Sequence, residues 1–423
     1  MPVLTARADR RLIRPDRRSE RFVLVELTAP AAATRPDRRP PVNLAFVIDR
    51  SGSMAGDKLE LAKRAVIEAI GHLTERDRFS IVTYDDAVDL VCESSSASSQ
   101  ARRDAVDRLR PVQPGGSTNL SGGWLRGCEE VARRLSGDGV DRVLLLTDGL
   151  ANVGITDANE LTHHAAELRA RGVSTTTFGI GRDFDEELLQ SMADAGGGHA
   201  YYIAEAAQIR DLITSEVGEA LQVVARDAEL EIQAGEGVDV EALSPQPIEP
   251  RGPRTIVRLG SLVSEQSMDV VLRVRFPYGE LGRESALHLR VTDKDGAFAA
   301  VGAPEARLTW TWADDRANDA QARDEAVDRA VASQFAARAR QEAVRRNKAG
   351  DFDGAKDALR STARRIRAYA SKDAVLRGLV GELQDESERY AAPVAAAMLK
   401  EDYYASHYAA RMRDASGKTR TQR

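Results

Sequence analysis

Three short segments of this sequence carry oxygen donors, two where a strand-like run ends and one just before a helix-like run. Asp49-Arg50-Ser51-Gly52-Ser53 follows the apolar run Val42 to Ile48 and precedes a segment with helical periodicity that starts near Asp57. Alternate residues of such a loop can point the same way. Asp49, Ser51 and Ser53 then place one carboxylate and two hydroxyls around a point just beyond the strand. Gly115-Gly116-Ser117-Thr118-Asn119 stands before another helix, and Leu146-Thr147-Asp148-Gly149 closes a third strand. In open α/β sheets ligands bind outside the carboxyl ends of the strands, where all three loops can converge. The set offers only oxygen, the donor that hard cations take. A convergent acid–base pair, a nucleophile elbow and a second metal cluster, any of which an enzyme would call for, are not recognisable beside it.

The elements that must position these residues read as follows. From Val42 to about Ile209, short apolar runs alternate with amphipathic segments, the pattern of a mostly parallel sheet covered by helices on both faces. Strands are expected at Val42–Ile48, Phe79–Thr83, Arg142–Thr147, Val173–Phe178 and His199–Ile203. Helices are expected at 57–72, 119–134, 159–170, 185–193 and 206–221. In the first helix Leu59, Ala62, Val66, Ile70 and Leu73 recur at three- and four-residue spacing, giving one stripe that can lie on the sheet. Residues 226–312 switch to period-2 alternation, as in Leu287, Leu289 and Val291 against His288 and Arg290, which marks an antiparallel β module. Asp293-Lys294-Asp295-Gly296 reads as its hairpin turn. Phe22–Leu27, with a second strand around Val3–Ile13, has no partner nearby and is expected to join that module. Beyond Ala313 the chain turns amphipathic and helical, with a break at Ala349 to Gly354 that predicts a helical hairpin. No second copy follows at a period of about 34 residues, so no repeat array is expected.

The reading is therefore multidomain, α/β plus β plus α. A doubly wound, mostly parallel, Rossmann-like domain (residues 41–221) is inserted in or beside an antiparallel β-sandwich (222–312, joined by the strands of 1–40, with a Pro- and Arg-rich linker at Arg35–Pro41). A helical hairpin or bundle (313–413) and a disordered tail (414–423) follow.

The 423 residues are 42% apolar and 30% charged, the balance of a folded globular chain. A net charge of -6 from 60 basic and 66 acidic residues gives no field that recruits nucleic acid. Two cysteines, Cys92 and Cys128, are too few for a secreted disulfide framework and lack metal-ligand spacing. With no signal-peptide pattern, a cytoplasmic location is expected. The longest apolar runs fall far short of the roughly 20 residues that cross a bilayer, so no integral membrane segment is expected.

Asp49-x-Ser51-x-Ser53, then Thr118 in a Gly-Gly-Ser-Thr loop, then Asp148 in Thr-Asp-Gly resembles the complete metal-ion-dependent adhesion site of von Willebrand factor A domains. The stretch Thr147 to Asp157 is also similar to bacterial members labelled calcium-activated chloride-channel-like, a label that does not make a channel. The resemblance implies that Ser51 and Ser53 bind Mg²⁺ directly (Mn²⁺ or Ca²⁺ being alternatives), that Thr118 does so when a ligand is engaged, and that Asp49 and Asp148 act through water. It implies further that an Asp or Glu of a protein partner completes the ion's shell. In relatives, engagement can shift the Thr-bearing loop and a C-terminal helix, which corresponds here to 206–221.

Other polar features read as structural. Asp57 is expected as a helix cap. His163 and His164 lie about 100° apart on a helix and are poor co-ligands, and His199 begins a strand. Ser416-Gly417-Lys418-Thr419 lacks the earlier glycine of a phosphate loop, Met412 standing there. The expected function is metal-dependent protein binding and not catalysis. A subunit role beside a separate ATPase is the alternative, and a metal-dependent hydrolase is the third reading.

Overall fold

Among the described residues the strands form three sheets. A computed structural model of the protein describes residues 3–32 and 39–420, so residues 35–38 of the expected linker lie outside the described residues. The chain divides into two compact units, one of Met1–Ala32 with Val224–Arg423 and one of Ala33–Val223.

The first unit begins with β1 (Leu4–Ala8), β2 (Leu12–Ile13) and β3 (Ser19–Thr28). The second holds β4 (Val42–Asp49), α1 (Asp57–Gly71), β5 (Arg78–Tyr84), β6 (Val88–Ser96), α2 (Ser99–Leu109), α3 (Leu120–Ala132) and β7 (Val140–Thr147). It continues with α4 (Ala158–Ala170), β8 (Ser174–Ile180), α5 (Glu186–Gly196), β9 (Gly197–Ile203) and α6 (Ile209–Leu221). Its sheet runs β6-β5-β4-β7-β8-β9, parallel throughout except for the edge strand β6, which pairs antiparallel to β5. All residues of β4 and β7 are buried, as expected of parallel strands covered on both faces. From β4 the chain steps outward to β5 and β6 and then returns to β7 on the other side. The junction of β4 and β7 is thus the switch point at which open α/β sheets bind ligands. Register pairs Ile48 with Leu146, so Asp49 and Thr147 end up side by side at that edge.

Helix α3 lies close on this junction because it carries glycine where a side chain would not fit. A Cβ on Gly127 would stand 2.3 Å from Val47 Cγ2. Trp124 of the same helix is fully buried and donates from Nε1 to Thr175 Oγ1 at 3.1 Å. Asn119 caps the helix by accepting from Gly122 N at 3.0 Å.

Two elements of this unit depart from the sequence reading by being present. β6 and α2 are too polar for their periodicity to stand out, with Cys92 the one buried residue of β6 and Ala105 and Leu109 those of α2. Asp57 is not a cap. Gly56 occupies that position, and Asp57 is the first helical residue, where its charge suits the helix N-terminus.

After the α/β unit come β10 (Val223–Ala234), β11 (Asp239–Ala242), β12 (Ile248–Arg251), β13 (Arg254–Val263), β14 (Ser267–Phe276), β15 (Glu284–Thr292), the short α7 (Ala297–Ala300) and β16 (Glu305–Trp312). One sheet runs β1-β3-β14-β11 and another β12-β13-β10-β15-β16-β2, so strands from before and after the α/β unit pair with one another. The two sheets share one apolar core, which includes Val23, Val25, Leu230, Leu272, Leu289 and Trp310. β15 and β16 pair as expected, but not through a tight turn. Asp293 instead accepts from Ala297 N and Phe298 N, both at 2.9 Å, and starts α7.

The helical region holds α8 (Asp315–Ala320), α9 (Glu325–Lys348), α10 (Phe352–Ala370), α11 (Ala374–Arg389) and α12 (Ala396–Ala410), with α9 and α10 on either side of the break at Ala349 to Gly354. Val327, Val331 and Phe335 of α9 pack on Phe22, Leu24 and Val271. From Asp414 to Arg420 the chain, expected to be disordered, folds into a turn. The Asp414 carboxylate accepts from Ser416 N and Lys418 N, both at 2.9 Å, and Arg413 bridges to Thr419. Among the described residues no helix is long and apolar enough to cross a membrane.

Candidate metal centre

Asp49 ends β4 with its side chain already committed. Oδ1 accepts from Ser51 N at 2.8 Å, and Oδ2 accepts from the Thr147 hydroxyl at 2.7 Å. Burial pushes the Asp49 carboxyl above its ordinary range, the Ser51 and Thr147 bonds pull it back, and the nearby Asp148 charge adds to the push. The first loop then turns so that the Ser51 and Ser53 hydroxyls lie 3.1 Å apart, and Ser53 Oγ donates to Asp148 Oδ1 at 2.6 Å. Thr118 reaches the same spot. A Cβ on Gly149 would lie 3.3 Å from Thr118 Oγ1 and 3.8 Å from Ser53 Oγ, so both hydroxyls border the space above that glycine. Asp49, Ser51, Thr118 and Asp148 are buried, whereas Ser53 is exposed and leaves the cluster open to solvent on its side. All five residues singled out from the sequence thus meet at one edge of the sheet.

Hydrogen bonds between loops hold them there. Gly52 N donates to Gly116 O at 3.0 Å and Gly115 N to Arg50 O at 2.7 Å, tying the first loop to the second. Asn152 N and Val153 N both donate to Thr118 O at 3.3 Å, tying the third loop to the second. Asp85, just past β5, is the anchor beneath. Its carboxylate accepts from Gly116 N at 3.1 Å, Ala87 N at 2.9 Å and Arg50 Nη2 at 3.2 Å, and its carbonyl from Asn119 N at 2.7 Å. Burial pushes the Asp85 carboxyl up, but these donors prevail and hold it below the ordinary carboxylate range. The Gly-Gly pair leaves room for this anchor, since a Cβ on Gly115 would fall 1.9 Å from Asp85 Oδ2.

The sequence reading missed three residues of this site: Thr147, Asp85 and Lys58. Lys58 Nζ lies 2.5 Å from Asp148 Oδ2 and 3.3 Å from Ser53 O. A signal for it did exist. A cation in the first turn of a helix opposes the helix dipole, and a lysine placed there calls for an anionic partner.

The donor set fits a hard divalent ion. Neighbouring ligands of an octahedron with bonds of about 2.1 Å stand about 3.0 Å apart, close to the 3.1 Å between the two serine hydroxyls. The donors are oxygens throughout, which suits Mg²⁺, Mn²⁺ or Ca²⁺ over softer metals.

A second polar cluster lies toward the opposite edge. Glu216 of α6, fully buried, accepts from Arg142 Nη1 at 2.5 Å, Thr176 Oγ1 at 2.8 Å and Tyr201 Oη at 2.7 Å, and its Oε2 lies 3.0 Å from His199 Nδ1. Ligand atoms of His199, Glu216 and Glu219 fall within 4.8 Å of one another. Those donors already occupy both Glu216 oxygens, and the cluster fastens α6 to β7, β8 and β9. His199 lies within β9, in agreement with its reading as a strand residue.

Residues 43–215 match the von Willebrand factor type A domain. This part of the chain is a von Willebrand factor A domain. Its relatives include the uncharacterized protein YfbK of Escherichia coli, 30% identical over 217 residues that make up 51% of this chain and 37% of YfbK. Inter-alpha-trypsin inhibitor heavy chain H1 of Mesocricetus auratus is 31% identical over 170 residues, 38% of this chain and 18% of that protein. The chain thus spans less than half the length of these curated relatives. Among solved structures, a von Willebrand factor type A protein from Catenulispora acidiphila aligns with a TM-score of 0.71 at 20% identity, covering 100% of this chain and 97% of that one. The ArnB paralog VWA2 from Sulfolobus acidocaldarius aligns with a TM-score of 0.62 at 16% identity, covering 97% and 98%. At these identities the likeness is one of fold, and it extends over the strands and helices that flank the von Willebrand factor A domain as well.

Proposed function

We propose that the chain is a divalent-metal-dependent protein-binding module and not an enzyme. In this reading Ser51, Ser53 and Thr118 hold the ion, Asp49 and Asp148 steady it largely through water, and an Asp or Glu of a partner protein completes its shell. The observation that carries the reading is the meeting of three loops' oxygens at the β4–β7 switch point, with 3.1 Å between the serine hydroxyls and 2.6 Å from Ser53 to Asp148. Few negative charges then touch the ion, and a bound dication supplies an electrophilic open position for an outside carboxylate. Binding is favoured over turnover because Asp49 has both oxygens engaged by Ser51 and Thr147, which suits it to fix geometry and not to move protons. The kinship of residues 43–215 with a family of protein-interaction domains points the same way.

A pull-down with the full chain in Mg²⁺, in chelator, and as Asp49→Ala tests this, alongside calorimetry of Mg²⁺ uptake. Partners retained by the wild type in Mg²⁺ and lost in the other two lanes are the expected result. Equal retention in all lanes, or no Mg²⁺ or Mn²⁺ uptake at millimolar concentrations, overturns the reading.

A further inference from the structure

The two oxygens of Asp148 serve different neighbours. Oδ1 faces the hydroxyl cluster through Ser53 Oγ, and Oδ2 faces the ammonium of Lys58 at 2.5 Å. The Asp148 side chain is fully buried and that of Lys58 is 31% exposed, so much of this pair is shielded from water. Lys58 is the second residue of α1, where the helix dipole disfavours a cation. Asp148 and the Ser53 carbonyl, 3.3 Å away, offset that cost. Arg50, a further cation beside the first loop, is already engaged by Asp85 at 3.2 Å and Asp89 at 2.8 Å. Asp57 and Glu60, the acids of the first turn, are exposed, and Glu60 pairs with Lys63.

We propose that Lys58 is a built-in counter-cation that makes the metal ion and the partner's carboxylate bind as a linked pair, an inference that rests on the metal-dependent reading above. Asp49, Asp148 and Lys58 sum to one negative charge. A dication brings the site to one positive charge, and an arriving carboxylate brings it to zero. Without Lys58 the dication alone would neutralise the two aspartates, and the carboxylate would then leave an excess of negative charge. Lys58 therefore weakens ion uptake on its own and strengthens it when a carboxylate comes too. By linkage, the ion raises the affinity for the carboxylate by the same factor. The ligand chemistry is set accordingly: a monoanionic carboxylate suits this site better than a neutral amide.

The test is Mg²⁺ titration calorimetry on the full chain at low salt, without and with saturating acetate as the carboxylate probe. The proteins compared are the wild type, Lys58→Met, Lys58→Gln, Lys58→Arg and Ser51→Ala, each first checked for folding by thermal melt. Expected is wild-type Mg²⁺ affinity that rises with acetate. Lys58→Met and Lys58→Gln should bind Mg²⁺ on the order of tenfold more tightly without acetate, within the usual range for coupled sites, and gain little from acetate. Lys58→Arg should behave as wild type. Unchanged affinity and acetate response in Lys58→Met and Lys58→Gln, with wild-type binding intact and Ser51→Ala binding lost, overturns this proposal alone. Weaker Mg²⁺ binding in both variants does the same, by reducing Lys58 to a support for Asp148. Absence of Mg²⁺ uptake by the wild type overturns it together with the parent reading.

Discussion

Asp85 carries no ligand in the proposed site, yet it holds the loop that presents Thr118. Its carboxylate receives Gly116 N, Ala87 N and Arg50, three donors that water cannot fully replace in a buried setting. Asp85→Ala is expected to cost about 1–3 kcal/mol, the usual penalty for stranding buried donors, and to weaken Mg²⁺ uptake with all five oxygen-bearing residues still present. Urea midpoints and calorimetry report the two effects separately. The pH dependence has a definite sign. The folded-state pKa of Asp85 lies below its unfolded value, so its contribution is present above the ordinary carboxylate range and fades as the pH falls through the folded pKa. The gap in stability between wild type and Asp85→Ala should accordingly narrow on acidification, and a gap that stays constant or widens would count against the anchor. Asp49, Ser51, Ser53, Thr118 and Asp148 were legible in the sequence because each sits in a short motif, at a strand end or, for Thr118, just before a helix. Asp85 and Lys58 act on residues of other loops, across 31 positions to Gly116 and 90 to Asp148, and no local pattern records that reach.

At the scale of elements, the buried parallel strands were the most legible parts, since both faces of β4 and β7 are covered and their sequences are close to continuously apolar. β6 and α2 were hidden because an edge strand and a helix with few buried residues have little need of apolar periodicity. The seating of α3 was hidden for another reason. It depends on a missing side chain, and a glycine within a helix reads as a weakness until the strand beneath it is seen. Gly127 is placed so that a Cβ would come within 2.3 Å of Val47 Cγ2 and 3.3 Å of Val143 Cγ1, between the two strands that flank the site. Gly127→Val should lift α3 from the sheet and destabilise the von Willebrand factor A domain by about 1–3 kcal/mol, the common cost of overpacking. Because Thr118 lies just before this helix, Mg²⁺ affinity should fall as well. A denaturation curve that matches wild type would show that α3 is not seated by this glycine.

At the scale of the whole chain, the first unit is assembled from segments far apart in sequence. β3 lies between β1 and β14, and its register with β14 runs from Thr28 opposite Ser267 to Ser19 opposite Phe276. Its apolar run announced a strand without saying which partner it takes, because pairing is decided by register and core fit over a separation of some 240 residues. Val23, Val25 and Leu27 enter the core shared by the two sheets, while Phe22 and Leu24 enter the cluster formed with α9. Each such side chain contributes about 1.5–3 kcal/mol when buried, and their sum rivals the roughly 5–15 kcal/mol that separates a folded domain from its unfolded state. Deleting residues 1–32 should therefore unfold the first unit. The unit Ala33–Val223 has its own sheet, helices and core and contains all five oxygen-bearing residues, so it should survive the deletion. Scanning calorimetry of the truncated chain is expected to lose one transition and to keep another that still shifts upward with Mg²⁺, since an ion that binds only the folded state raises its melting temperature. If both transitions disappear together, the folding of the unit Ala33–Val223 depends on the strands that precede it.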